Sequence, residues 1–376
     1  MKTAPFNMRG FSLVEILVAM VIALLGTVII FQVFAVSEDI KRTSTSGGDA
    51  QQYGALALFT LERDLRMAGY GINNAALLGC TVRAYDELAT PPDIPNFTLA
   101  PVIITPGADA KTPDTVAIMY GDSDLLAAPA KITQNMPSPA ATFKVSNRFG
   151  FYPGHLVLAA EPGKDCTLAE VTETPGTPGQ TDNVIHNSGN YINAAGANVT
   201  ARFNKPSGLG ISYTTSGTLY NLGNAPIRNT YSVQNARLMQ TSTFATTPGV
   251  AVAIAENIVH MKVQYGKDDG VDNGTVDHAT FVADDGAVDN YTNTMPGTPS
   301  AADWARIITI RLALVARSAQ PERPNVAAGP CDATTAAPTW SGGTFDLSND
   351  PNWQCYRYRV FETTVPLRNL MWQQLS

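Results

Sequence analysis

MRGFSLVEILVAMVIALLGTVIIFQVFAV, residues 8–36, is the stretch that decides how this 376-residue chain is built. It begins with a charge at Arg9 and a glycine at Gly10, and it carries one acid, Glu15. The 21 residues of 16–36 contain no charged side chain. At about 1.5 Å of rise per residue they form a helix of roughly 32 Å, which is long enough to cross a bilayer core. Placing a carboxylate at the start of a membrane-spanning helix costs free energy, so the acid indicates a specific role.

Three interpretations of this segment compete. A cleavable secretory signal has an apolar region of only about 7–15 residues before a small-x-small site; residues 35–37 offer such a site, but the apolar run is too long. An unprocessed membrane anchor is the second interpretation. In the third, the chain is cut between Gly10 and Phe11, and the apolar run stays as a permanent N-terminal helix. Only the third interpretation gives Gly10, Phe11 and Glu15 separate roles. Gly10 and Phe11 form the cleavage site, and Glu15 then lies in the first turn of the helix, near the new amine.

These residues resemble the prepilin signal of type IV pilins and pseudopilins. The resemblance implies that a prepilin peptidase cuts after Gly10 and methylates Phe11. It also implies that Glu15 neutralises the N-terminal amine of a neighbouring subunit during assembly. Several later segments resemble landmarks of PilW-type minor pilins: 61–70, 113–121, 231–238, 256–258, 265–266 and 359–369.

The resemblance to PilW-type proteins implies a minor pilin that contributes to the initiation of pilus assembly, is located at or near the tip, and has no enzymatic activity. Its expected partners are other minor pilins, the major pilin and the prepilin peptidase. Lys2 and Arg9 precede the apolar run, so we expect a single pass through a bacterial inner membrane with the head in the periplasm, and later a place in the pilus at the cell surface. A J-type minor pseudopilin of type II secretion shares the signal and stays an alternative, as does a secreted adhesin or binding protein.

The expected organisation is a leader at 1–10, a membrane and assembly helix at 11–36, an amphipathic continuation at 37–69 and a β-rich head at 70–376. Residues 43–48 have low helix propensity, so the sequence alone does not predict a straight helix there. Glycines at 69 and 71 predict its end. Residues spaced by three or four predict a buried stripe: Gly54, Leu58, Leu61, Leu65 and Ala68.

Strand patterns dominate after residue 100 and predict an α+β, pilin-like fold, with one long helix packed on antiparallel sheets. Alternation in 258–265 predicts a half-exposed strand, with Val259 and Met261 facing inward and His260 on the exposed face. Further strands are predicted at 115–120, 156–158, 306–316 and 356–365. Long loops are expected at 171–183, 188–199, 292–303 and 321–343.

Four cysteines follow the membrane segment, in a compartment that permits disulfides. Three pairings are possible. We favour Cys80–Cys166 with Cys331–Cys355, because each then closes a loop within one half of the chain. No CxxC pair is present, so a thiol redox site or a zinc knuckle is not indicated.

Charge and motifs narrow the function further. The net charge is −7, and −9 once the two basic residues of the leader are lost, which argues against nucleic-acid binding by the head. The sequence contains no HExxH, G-x-S-x-G or P-loop motif from which an enzyme hypothesis could start. No cofactor is expected, apart from calcium at a cluster of acids whose spacing does not match an EF-hand: Asp268, Asp269, Asp272, Asp277, Asp284, Asp285 and Asp289.

Overall fold

The structure, a computed structural model, describes residues 12–72, 74–123, 129–176, 182–208, 210–268, 287–322, 324 and 329–371. The side chains of 39–40, 42–46 and 371 are outside this description.

A 55-residue helix, α1 (Leu13–Met67), begins the described chain. It stays helical through the Gly47–Gly48 pair. Each glycine costs only about 1 kcal/mol relative to alanine, which a long helix anchored by packing at one end can absorb. After Met67 the chain turns at Gly69, whose φ of +80° suits glycine.

Short strands and two short helices follow α1 along the chain. In chain order they are β1 Thr81–Tyr85, β2 Asp93–Thr98, β3 Val102–Thr105, β4 Thr115–Tyr120, β5 Ala130–Lys131, β6 Phe143–Val145, β7 Leu156–Ala160, β8 Cys166–Glu170, β9 Asp182–Val184, β10 Asn190–Ile192, β11 Asn198–Thr200, β12 Thr218–Gly223, β13 Ile227–Gln234, β14 Arg237–Ser242, β15 Ala251–Glu256, β16 Ile258–Lys267, β17 Asn290–Thr292, α2 Ala301–Ala305, β18 Ile307–Arg317, β19 Thr339–Trp340, β20 Gly343–Thr344, β21 Tyr358–Pro366 and α3 Arg368–Met371. Short 3-10 turns lie at Ala75–Leu77 and Trp353–Cys355.

Three larger sheets form the head. Their strand orders are β2-β1-β8-β7-β12-β5, β15-β14-β13-β4-β3 and β17-β16-β18-β21. Among the described strands, every pair is antiparallel except β1 with β8, which run parallel. The α+β, pilin-like class is therefore confirmed, with this one departure from a purely antiparallel head.

The second half of α1 packs against β21, β18 and β15. The predicted stripe faces this interface: Gly54, Leu61, Leu65 and Ala68 are buried and Leu58 is half-buried. Gly54 lets the helix approach β21 closely, because a Cβ there would lie only 2.0 Å from the ring of Phe361.

The prediction that His260 is exposed was wrong. His260 is 1 % exposed, and its ring meets Phe345 edge-on with 5.2 Å between centroids. An irregularity between Ile258 and His260 also shifts the register of β16, so that Val259 packs with the small cluster around Phe345 and not with the main core. Alternation along β16 could not reveal this, because the layer that covers its outer face comes from a distant segment.

Some of the predicted loops contain regular structure. The hairpin β10–β11 begins within 188–199, α2 begins within 292–303, and β19 falls within 321–343. These elements are two to five residues long, which is too short to leave a periodic signal in the sequence.

Candidate functional site

The first part of α1 exposes a continuous apolar surface. Its large apolar side chains between 13 and 36 are all exposed, from 45 % at Val28 to 75 % at Leu13. The helical segment Leu13–Glu38 is strongly apolar, and its most apolar stretch is not buried against the head. By length and composition this segment can cross a membrane, and it is free to pack against other apolar helices.

The N-terminus of α1 is closed by a capping box between Ser12 and Glu15. The Ser12 amide donates to the Glu15 carboxylate at 2.9 Å, and the Glu15 amide donates to the Ser12 hydroxyl at 3.2 Å. This holds the carboxylate at the end of the helix where the dipole favours an anion. Gly10 and Phe11 lie outside the described residues, so their processing stays a prediction, as does the pairing of Glu15 with an amine.

A buried carboxylate, Asp64, ties the other half of α1 to the five-stranded sheet. It has no solvent exposure and accepts hydrogen bonds from the Tyr231 hydroxyl at 2.6 Å, the Asn229 amide at 2.9 Å and the Tyr120 hydroxyl at 3.1 Å. The guanidinium of Arg63 lies 3.1 Å away, on the exposed side. Burial raises the pKa of both tyrosines, and the adjacent Asp64 charge raises each pKa further.

This group of residues is not among the sites predicted from the sequence. The signal was present, because Asp64 occupies a position on the same helical stripe as Leu61, Leu65 and Ala68. A charged residue inside an apolar stripe predicts a buried group with partners. The identity of those partners, on β4 and β13, depends on long-range pairing.

The C-terminal end of the described chain fastens the end of α1. The side-chain amide of Asn369, in α3, donates to the carbonyls of Met67 and Ala68 at 3.2 and 3.1 Å. The Gly69 amide donates to the Met119 carbonyl at 2.9 Å. These hydrogen bonds therefore fix the C-terminal end of α1 to the head.

Both predicted disulfides are present. Cys80–Cys166 joins the start of β8 to the residue before β1, next to the parallel strand pair. Cys331–Cys355 closes a shorter loop before β21. The described part of the chain holds no free cysteine.

The calcium hypothesis stays a prediction, because most of its ligands lie outside the described residues: Asp269, Asp272, Asp277, Asp284 and Asp285. Asp268 is buried, and its amide donates to the Arg306 carbonyl at 3.0 Å. The Asp289 amide donates to the Lys267 carbonyl at 3.0 Å, where the chain returns to β16. Within the described residues, no group of three or more His, Cys, Asp or Glu side chains is placed to hold a metal.

Two family models match segments of this chain. The prokaryotic N-terminal methylation motif matches residues 5–31, which include Gly10, Phe11 and Glu15. Type IV pilus-assembly protein W matches residues 227–369, which run from β13 into α3. No curated protein and no solved structure matches the chain. The chain is therefore similar to type IV pilus-assembly protein W over residues 227–369, and its N-terminal segment is similar to the prokaryotic N-terminal methylation motif.

Proposed function

We propose that this protein is a minor pilin that contributes to the initiation of pilus assembly and lies at or near the tip. The observation that carries the proposal is the division of α1 into two parts. Its first part exposes apolar side chains along its length, and its second part is locked into the head by Asp64 and Asn369. The exposed part of α1 can pack against other helices, while the packed part holds the head in a fixed position at the end of the same helix.

The exposed part of α1 first serves as a membrane anchor. The basic residues of the leader keep the N-terminus in the cytoplasm, which puts the head in the periplasm. After cleavage at Gly10 and methylation of Phe11, the same apolar surface packs against the helices of other minor pilins and of the major pilin. The role is one of assembly, and the protein catalyses no reaction of its own.

Glu15 sets the register of this packing. A lone carboxylate among apolar helices is costly unless a positive group lies beside it. The capping box holds Glu15 at the very start of the helix. There it pairs with the N-terminal amine of a neighbouring subunit. A buried ion pair of this kind is better suited to specifying one arrangement than to adding stability.

The test compares Glu15→Ala with Glu38→Ala in the native host. Glu38 lies at the other end of the span and is exposed, so it controls for the loss of one carboxylate. We expect Glu15→Ala to lower the number of pili while the protein still inserts into the membrane, and Glu38→Ala to leave pilus number unchanged. Normal piliation in Glu15→Ala would exclude the proposed pair.

Two further observations separate the alternatives. The intact mass of the mature protein should fit a chain that begins at methylated Phe11; a chain that begins at Glu38 would indicate a secreted adhesin. Deletion of the gene should reduce piliation and twitching. Loss of exported enzymes with intact pili would instead indicate a pseudopilin of type II secretion.

A further inference from the structure

A cavity of about 360 Å³ opens on the head, away from α1. This volume lies at the lower end of the range of small-molecule sites. Its walls come from the segment before β2, from β2 itself, from β13 and from the end of β14 with the loop that follows. The lining combines apolar and hydroxyl-bearing side chains with one cation: Ala89, Thr90, Pro91, Ile94, Pro95, Asn96, Phe97, Arg228, Thr241, Ser242, Thr243, Pro248 and Gly249.

The walls of the cavity are tied together by Arg202. Its guanidinium donates to Asp86 at 2.6 Å, in the segment before β2, and also donates to the carbonyls of Phe244 and Ala245, in the loop after β14. Asp86 has no solvent exposure, so this ion pair is well shielded from water. These hydrogen bonds fix the two walls relative to each other, so the cavity is a defined part of the fold.

Arg228 is the charged residue of this lining. Its Cζ lies 4.3 Å from the ring centre of Phe97, and its Nη1 donates to the Thr243 hydroxyl at 2.9 Å. Burial lowers the pKa of Arg228, but a guanidinium stays protonated in proteins. A guanidinium has five N–H donors, and among the described residues Arg228 uses one of them, in the bond to Thr243.

Two carboxylates close to this cavity along the chain are paired with other cations, and a third, Glu87, is exposed to solvent. Asp86 pairs with Arg202, and Asp93, at the start of β2, pairs with Lys205 at 2.7 Å. Within the part of the chain that the structure describes, no acidic side chain forms an ion pair with Arg228. A half-buried cation without an anion is unusual, because removing its charge from water has to be offset by a partner.

We propose that this cavity binds a carboxylate carried on a small apolar body, with Arg228 as the residue that recognises the charge. A planar guanidinium matches a carboxylate in two parallel hydrogen bonds. The Ile94, Phe97 and proline side chains supply the apolar surface for the rest of the ligand. The same chemistry is found in a free aliphatic acid and in the C-terminal residue of another polypeptide.

Calorimetric titration of the full-length protein in detergent tests the proposal with three probes. N-acetyl-leucine represents a chain end, 4-methylpentanoate represents a free acid, and N-acetyl-leucinamide has the same apolar body without the charge. We expect one or both acids to bind and the amide to bind at least about tenfold more weakly, as the loss of a charge-assisted hydrogen bond implies. Preference for N-acetyl-leucine over 4-methylpentanoate indicates a chain end, and equal binding indicates a free acid.

Arg228→Met should abolish acid binding, and Arg228→Lys should retain part of it. Arg237→Met is the matched control, because Arg237 lies on the adjacent strand β14, outside the cavity, in an exposed ion pair with Glu256. If Arg228→Met does not fold, Ala89→Leu fills the cavity without touching the charge, and it should also abolish binding. The proposal is overturned if no acid binds at roughly 10 mM, if the amide binds equally well, or if either cavity variant binds as the unmodified protein does.

Discussion

The hydroxyl of Tyr231 donates a 2.6 Å hydrogen bond to Asp64, and this joins β13 to α1 at a carboxylate that has no contact with solvent. Asn229 and Tyr120 donate to the same carboxylate. An ionised group in the core is tolerated only when its lone pairs are satisfied. The interface between helix and sheet is therefore specified by one acid and three donors, in addition to apolar packing.

We predict that Asp64→Ala destabilises the head by about 3 kcal/mol or more, because it leaves the donors of Tyr231, Asn229 and Tyr120 buried without an acceptor. Tyr231→Phe removes a single hydrogen bond to the charge and should cost about 1.5–3 kcal/mol. The measurement is the free energy of unfolding in urea. Glu62→Ala is the control: Glu62 pairs with Arg66 on the outer face of α1, so its loss should cost less than about 1 kcal/mol. Equal losses for Asp64→Ala and Glu62→Ala would show that the buried group does not hold the helix.

The sequence predicted the parts of the fold that leave a local pattern. The apolar span, the buried stripe around Leu61 and the end of the helix near Gly69 all follow from spacing and composition. Both disulfides were favoured on a simple argument about loops. The capping box of Ser12 with Glu15 could also have been predicted, because it depends on two residues that are three positions apart.

Features that arise from long-range contacts were not predictable in this way. His260 alternates with apolar residues, as an exposed residue does, but Phe345 covers it from 85 positions further along the chain. The partners of Asp64 come from two strands that meet only in the folded sheet. Arg228 looks like an ordinary polar position of a strand until Phe97 and Thr243 close around it.

Two glycines of α1 should respond in opposite ways to alanine. Gly48→Ala should stabilise the helix by about 1 kcal/mol, because nothing lies within 4 Å of the added Cβ. Gly54→Ala gains the same helix propensity but forces the Phe361 ring away from the interface, so we expect net destabilisation of about 1–3 kcal/mol. Thermal unfolding followed by circular dichroism compares the two variants directly. A stabilising Gly54→Ala would mean that Phe361 moves aside without cost.

The two disulfides should differ in their contribution to stability. Cys80 and Cys166 are 86 positions apart, whereas Cys331 and Cys355 are 24 apart. In the chain-entropy model the longer loop contributes about 4–5 kcal/mol and the shorter about 3–4 kcal/mol. Replacing each pair by alanines and measuring urea unfolding under non-reducing conditions gives the two values. A larger loss for the 331–355 pair would contradict the prediction and would indicate that local packing, not loop closure, sets the effect.

Acid should weaken the head through His260 before most carboxylates protonate. Burial lowers the pKa of His260 below its ordinary value of 6.5, and the nearby charge of Lys262 lowers it further. Its Nε2 must donate to the Ala110 carbonyl at 3.2 Å, so protonation would occur at Nδ1. Nδ1 is buried and has no hydrogen-bond partner among the described residues. Burial lowers the pKa of His186 as well.

For a histidine with a depressed pKa in the folded state, the stabilising contribution is complete above pH 6.5 and is lost as the pH falls through the folded value. We therefore expect the free energy of unfolding to decrease between pH 7 and pH 5, as measured by urea titration at each pH. His260→Gln keeps a donor for the Ala110 carbonyl but cannot titrate, so it should flatten this slope, and His186→Gln in addition should flatten it further. An unchanged slope in the double variant would place the acid sensitivity of the head in its carboxylates.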